Sequence, residues 1–206
     1  MAMSGDKAVG LVIPTRWEAR EVLDRFYFRR ARGGLWRAEA RGVVVYACIS
    51  GVGRKAAAEA ADRLVAEGAK ELVSMGFCGA LSPDLNVGDL VTDRIATVDT
   101  PARTPEERRA LTQRANAVAV DMETQAVIEA GTRRGVPIRI LRVVSDRFED
   151  DLTPLFGKSG RFSPWRITCH LLNPKAWPIA ARLKRQSEVA RKALAGALEK
   201  YLRERS

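Results

Sequence analysis

The residues able to do chemistry stand in short clusters: Ser50-Gly-Val-Gly53, Gly76-Phe-Cys-Gly79, Asp121-Met-Glu123 and Ser145-Asp146, with Glu18 upstream of them all. Carboxylates can pass protons or accept hydrogen bonds from hydroxyls. Glycines let a backbone come close to a ligand, and N–H groups opening a following helix can meet an anion. Singly, each cluster also has an ordinary structural explanation. Ser-Gly-Val-Gly makes a tight turn, Asp121 and Glu123 are a charge bias at a helix N-terminus, and Asp146 is an N-cap. Other chemistries have little material. His170 is the sole histidine, which leaves little basis for a histidine zinc site or a Ser-His-Asp triad. Cys48, Cys78 and Cys169 are odd in number and widely spaced, which points to reduced thiols and a cytoplasmic setting. Neither a metal nor a cofactor is expected.

The clusters are placed by the elements around them. Val9–Ile13 reads as a short buried strand, followed by a helix near Trp17 to Phe28. A second strand, Gly42–Ile49, ends in Ser50-Gly-Val-Gly53, and a helix over Lys55–Glu67 is closed by Gly68. Glu71–Met75 starts a strand that ends in Gly76-Phe-Cys-Gly79, with further strands at Val87–Val91 and Ile95–Val98. Thr104-Pro-Glu-Glu107 signals a helix start. Ala117–Val120 reads as a strand, Glu123–Arg134 as a helix ended by Gly135, and Ile138–Val144 as the last strand. Strands alternating with helices predict an α/β three-layer sandwich with a central, mainly parallel or mixed sheet. Ligands in such sheets bind beyond the carboxyl ends of strands, where the clusters lie.

The chain has 206 residues, and a single domain over 1–206 is the simplest organisation. No apolar run is long enough to cross a membrane, and the first residues lack the apolar stretch of a secretion signal. The net charge of +10 is uneven: residues 157–206 hold twelve Lys/Arg against three Glu, while the preceding 156 residues hold 23 against 22. Anionic partners should therefore be sought at this basic, amphipathic helical extension.

In order along the chain, the clusters resemble a known superfamily. Val73-Ser-Met-Gly-Phe-Cys-Gly-Ala-Leu-Ser-Pro-Asp-Leu-Asn-Val-Gly-Asp-Leu-Val91 resembles the glycine-rich segment of nucleoside phosphorylases and of methylthioadenosine/S-adenosylhomocysteine nucleosidases. Ala119-Val-Asp-Met-Glu-Thr124 is similar to their ribose-binding segment, Arg142-Val-Val-Ser-Asp146 to their catalytic-aspartate strand, and Ser50-Gly-Val-Gly-Arg54 fits in order. The resemblance runs over about residues 9–150. Within it, residues 101–135 and the style of the tail look most like the hopanoid-associated subgroup, whose substrate is an adenosyl lipid, adenosylhopane.

The resemblance implies cleavage of the N-glycosidic bond of a purine nucleoside, through a state with positive charge on the sugar and negative charge on the departing base. It assigns Asp146 as the acid near the base nitrogen, Glu18 as the carboxylate that polarises the attacking water, and Arg142 as an arginine beside that water. Glu123 would accept hydrogen bonds from ribose hydroxyls, and Met122 would pack under the sugar. Asp121, Val52, Phe77, Cys78, Gly79 and Ser145 complete the implied substrate contacts, and a homo-oligomer is implied as well.

Bacterial phosphorylases hold phosphate with arginines and a serine or threonine, where this chain has Glu18, Ser74 and Phe77. A carboxylate repels phosphate and Phe77 offers no side-chain donor, so water is the preferred nucleophile, although Arg16 and Arg54 lie near in sequence. A phosphorylase of the same fold is the alternative; a non-catalytic basic binding protein is a third. One departure stands out. Relatives place a long block between the strands matched to Val87–Val91 and Ile95–Val98, where this chain has only Thr92-Asp93-Arg94. That block ordinarily helps to build the base pocket, and the ring that stacks on the base falls near Pro101, where none is present.

In the tail, Phe156, Phe162, Trp165, Ile167, Leu171, Leu172 and Trp177 stand among Lys158, Arg161, Arg166 and Lys175. Ile179, Leu183, Ala190, Leu194, Leu198 and Tyr201 then repeat at near-helical spacing. Two readings are open: a helix packed on the sheet with a solvated basic face, or peripheral contact with the inner membrane face through interfacial tryptophans and anionic headgroups. A lipid-linked nucleoside would give the second a purpose. Nucleic acid is not expected as a partner, since no recognition motif is present.

Overall fold

The computed structural model describes residues 8–153 and 177–205. Four apolar runs form the parallel middle of one sheet: β1 (Ala8–Ile13), β4 (Val43–Ile49), β5 (Glu71–Ala80) and β9 (Ile138–Asp146). β1 lies between β4 and β5, and β9 runs parallel on the far side of β5. Every residue of β1 is buried, because helices cover both faces of the sheet. Antiparallel strands finish the edges. β2 (Arg29–Arg30) and β3 (Trp36–Ala40) extend the sheet beyond β4, and β6 (Leu90–Val91) pairs with β9. β8 (Ala119–Asp121) pairs antiparallel with the end of β5, and β7 (Ile95–Thr97) lies parallel to β8.

On one face, α2 (Arg54–Ala66) and α4 (Thr124–Arg134) pack together through Ala57, Ala60, Ala61, Ala126, Val127 and Ala130 over Val12 and Leu72. On the other, α1 (Arg16–Arg25) presents Ala19, Val22 and Leu23 to α5 (Trp177–Arg203), which contributes Leu194, Ala195 and Leu198 above Leu11, Ile13 and Val73. The expected three-layer α/β sandwich is thus observed. Leu194, Leu198 and Leu202 of α5 are 0% exposed, and burying a leucine contributes roughly 1.5–3 kcal/mol. The second half of the tail therefore packs as a structural helix. Trp165, Phe156, Phe162, Ile167, Leu171, Leu172, Cys169, His170 and the basic residues among them lie outside the described residues.

Some boundaries differ from expectation for physical reasons. β5 continues to Ala80, so Gly76-Phe-Cys-Gly79 is strand, held by pairing with β9 throughout. The strand expected over Val87–Val91 shortens to Leu90–Val91, because Asn86 N–H bonds the Asp89 carboxylate at 2.7 Å and Gly88 takes a φ of +98°, making a turn. α3 (Pro105–Ala115) begins where the Thr104-Pro signal puts it: Thr104 Oγ1 accepts the Glu107 N–H at 3.2 Å.

One irregularity matters for the site. β5 pairs with β9 up to Cys78, the register then shifts, and Gly79 faces both Asp146 of β9 and Val120 of β8. The sheet forks there, with Asp121 and Asp146 ending the two branches.

Candidate active site

A cavity of about 580 Å³ opens at the fork and at the carboxyl ends of β1, β5, β8 and β9. Its wall includes Glu18, Val52, Phe77, Cys78, Gly79, Asp121, Met122, Glu123, Ser145 and Asp146, so the sequence-derived set, Arg142 apart, converges on one place. Pro14, Thr15, Trp17, Val98, Pro101, Ala102, Val120 and Leu152 complete it. Among the described residues the wall carries four carboxylates and neither lysine nor arginine.

Glu18 comes from the first turn of α1. Thr15 caps that helix by accepting the Glu18 N–H at 3.2 Å, while its hydroxyl donates to Glu18 Oε1 at 2.7 Å. The Phe77 N–H donates to Glu18 Oε2 at 2.8 Å. Burial pushes the Glu18 carboxyl up to about 7, although those two donors and Arg142 pull the other way. The close approach needs Gly76, where a Cβ would stand 2.5 Å from Glu18 Oε2.

Glu123 precedes α4. Its Oε1 accepts the Gly53 N–H at 2.8 Å, and Oε2 lies 3.4 Å from Arg142 Nη1. The N–H that opens α2 therefore meets an anion of the protein itself, rather than one brought by a ligand. Burial raises the Glu123 carboxyl, against the Arg142 charge and the Gly53 bond. Burial likewise holds the Cys78 thiol neutral by raising it.

Arg142, expected beside the attacking water, stands behind this wall and does not line the cavity. Its guanidinium is 0% exposed, and its donors go to Ser74 Oγ and Thr124 Oγ1 at 3.0 Å, Phe77 O at 3.2 Å and Asp121 Oδ2 at 3.0 Å. Burial opposes its charge, but Asp121 and Glu123 outweigh that and raise it. It is a buried counter-ion that positions Asp121 and Glu123. Asp121, which lines the cavity, is held by the same network. Oδ1 accepts the Thr97 hydroxyl at 2.7 Å and Oδ2 accepts the Thr124 N–H at 3.0 Å, the Thr124 hydroxyl and Arg142, so its lone pairs are engaged internally.

Asp146 ends β9 and caps no helix. The Ser145 hydroxyl donates to its Oδ1 at 2.7 Å, and Arg108 of α3 pairs with its Oδ2 at 2.5 Å. Arg108 is also 0% exposed.

The sequence profile of the phosphorylase superfamily matches residues 8–92 and 93–159. The chain belongs to the phosphorylase superfamily. Within that superfamily, it is 37% identical over 65 residues to the uridine phosphorylase of Salmonella typhimurium, a match spanning 31% of this chain and 26% of that protein. The fold is similar to that of the 5'-methylthioadenosine/S-adenosylhomocysteine nucleosidase of Helicobacter pylori, at a TM-score of 0.72 and 16% identity over 95% of this chain and 99% of that one. Futalosine hydrolase of Helicobacter pylori gives 0.71 at 16% identity, covering 94% and 98%. The Neisseria meningitidis 5'-methylthioadenosine/S-adenosylhomocysteine nucleosidase gives 0.70 at 17%, covering 94% and 99%.

Against this superfamily background, the short Thr92-Asp93-Arg94 link is a tight turn, with Arg94 at a φ of +51° and its guanidinium on Asn116. Where a stacking ring was missed, the wall is built from Val98, Pro101, Ala102 and Leu152, and Leu152 N–H bonds Arg103 O at 2.7 Å. Sequence reasoning overlooked Arg108, Trp17 and Leu152. Arg108 sits in Glu106-Glu-Arg-Arg109, which reads like any solvated helix face, so no local signal marked it. The Thr15–Glu18 capping pair could have been read from its spacing.

Proposed function

We propose that this protein hydrolyses the N-glycosidic bond of a purine nucleoside, with adenine as the base. The observation that carries water over phosphate is the cavity wall, which has Glu18 and no cationic side chain among the described residues. The residues that could have replaced a phosphate clamp are engaged elsewhere. Ser74 is buried against Thr124 and Arg142, Arg54 donates to Asp99 Oδ1 at 3.1 Å and Thr97 O at 2.6 Å, and Arg16 lies over the Trp36 ring. A phosphate dianion entering such a wall meets like charge.

In this reading water adds to the sugar C1' and gives its proton to Glu18, whose affinity for protons suits a base at neutral pH. The bond electrons leave with the base, whose nitrogen takes up a proton from solvent that Asp146 shares in a hydrogen bond, and the proton on Glu18 returns to solvent. Glu123 accepts ribose hydroxyls with negative charge near the cationic sugar. Met122 packs under the sugar. Val98, Pro101, Ala102 and Leu152 offer the flat base an apolar slot.

The finer substrate is a lipid-linked adenine nucleoside such as adenosylhopane. An apolar rim with Trp17 at 42% exposed suits a greasy substituent, and so does α5, with Trp177 at 61% and exposed Arg182, Lys184 and Arg185. Among the described residues no helix is long and apolar enough to cross a membrane, so contact through α5 would be peripheral.

The deciding experiment is chromatography of base and sugar after incubation with a panel of adenosine derivatives, with and without phosphate. Adenine and free sugar should appear without phosphate. A sugar 1-phosphate as the main product would instead establish the phosphorylase.

A further inference from the structure

Two arginines are wholly buried at this site, and they differ in what they hold. Arg142 is shared between Asp121 and Glu123. Among the described residues, Arg108 has a single carboxylate partner, Asp146 Oδ2. Its Nη1 donates to Ala80 O at 3.3 Å and to Arg147 O, while its Nε is buried without a hydrogen-bond partner among the described residues. One planar fork thus ties the end of β5, the end of β9 and the loop after it across the point where the sheet divides.

Burying a guanidinium is costly unless its partners are well placed, and an orphaned Nε adds to that cost. An apolar side chain would fill the same space under α3 without it. The group that the arginine reaches is the one carboxylate proposed to meet the base. The room for the pair is also specific: a Cβ on Gly79 would stand 2.8 Å from Asp146 Oδ2 and 3.6 Å from Arg108 Nη1.

We propose that Arg108 is a positioning residue for Asp146, fixing the carboxylate plane so that a free lone pair faces the departing base. With Ser145 on Oδ1 and Arg108 on Oδ2, both oxygens are pinned and the carboxylate cannot rotate away from the cavity. The guanidinium itself stays off the cavity wall, so it would act on a substrate only through Asp146. This inference rests on the nucleosidase reading and adds a residue that acts through Asp146 alone.

The test compares Arg108→Met, Arg108→Lys and the parent for kcat, KM and thermal unfolding, with the substrate that the parent turns over best. Misplacing a reacting group by about 1 Å can cost roughly 10²-fold, so Arg108→Met should lose about that in kcat while KM stays within a few-fold. Arg108→Lys, which keeps the charge and loses the fork, should recover part of the lost kcat. A folded Arg108→Met protein with near-parental kcat would overturn the proposal, as would equal losses in kcat and 1/KM with no recovery in the lysine variant. Should Arg108→Met fail to fold, Arg108→Lys decides alone: a roughly tenfold drop in kcat at constant KM supports the role, and unchanged kcat removes it. A parent that releases no base from any derivative fails the nucleosidase reading itself; an active parent with an indifferent Arg108 fails only this inference.

Discussion

Glu18 Oε2 accepts the backbone N–H of Phe77 at 2.8 Å, joining the first turn of α1 to the strand that forks beneath the cavity. That bond aims a carboxylate whose proton affinity is centred near neutrality at the cavity, and it makes the reaction sensitive to pH. In the proposed mechanism the basic form is the working one, so kcat/KM should climb through about pH 7 and level off above it. Glu18→Gln should lose roughly 10²–10⁴-fold and flatten that limb. A parental pH profile in the glutamine variant would remove Glu18 from the mechanism.

The same carboxyl links stability to pH. Its value is raised from 4.5 to about 7 in the folded protein, so between those limits the native state binds the proton that the unfolded chain has released. Stability contributed by this group is full below pH 4.5 and is lost as pH rises through about 7. Urea unfolding at pH 5 and pH 8 should therefore show Glu18→Gln gaining relative to the parent at the higher pH, by no more than about 3 kcal/mol.

Asp146→Asn keeps the shape of the side chain and cannot hold a proton between itself and the base. Turnover should fall roughly 10²–10⁴-fold. The substitution also strands Arg108 as a buried charge, a change that costs about 3–5 kcal/mol when one partner of such a pair is removed. Adding Arg108→Met to Asp146→Asn should return much of that stability without returning activity. Strict additivity of the two unfolding effects would mean that the pair is not coupled.

Gly79→Ala tests the geometry of the fork. The new methyl would press on Asp146 Oδ2 from 2.8 Å and on Val120 Cγ1 from 3.3 Å. Displacing the carboxylate should cost on the order of 10²-fold in kcat. Parental kcat in a folded variant would show that Asp146 tolerates the shift.

For the membrane reading, co-sedimentation with anionic liposomes should weaken at high salt, and Lys184→Glu with Arg185→Glu should reduce it. Arg182 is unsuited to charge reversal, since it pairs at 3.2 Å with the buried Asp150, which also accepts Gln186 at 3.0 Å. Equal binding by the parent and the double variant would leave α5 as a packing helix alone.

The central strands and four covering helices were legible because buried parallel strands are written as unbroken apolar runs and the helix ends carry Thr104-Pro, Gly68 and Gly135. β3 was missed because it lies next to the sheet edge, flanked on its outer side only by the two-residue β2. Trp36-Arg-Ala-Glu-Ala40 buries only Ala38, and its charged residues read as loop. At the site, the carboxylates were legible by type and order, but their division of labour was not. Asp121 and Glu123 differ by two positions, yet one is held in the Thr97, Thr124 and Arg142 network and the other reaches the Gly53 N–H across the cavity wall. That distinction depends on Arg142 and Thr124 being brought together from separate elements, which no local pattern encodes. Arg108 was invisible for the same reason.

The helix that carries Glu18 has its apolar face closed by α5, whose Leu194, Ala195 and Leu198 are translated long after α1 has left the ribosome. Until then α1 can form its cap with Thr15, but its Ala19, Val22 and Leu23 have no cover. The layer that carries Glu18 is therefore closed only late in biosynthesis. A nascent chain carrying every residue of the cavity wall but lacking α5 would hold the right atoms in roughly the right order, on a helix whose apolar face is still open to water.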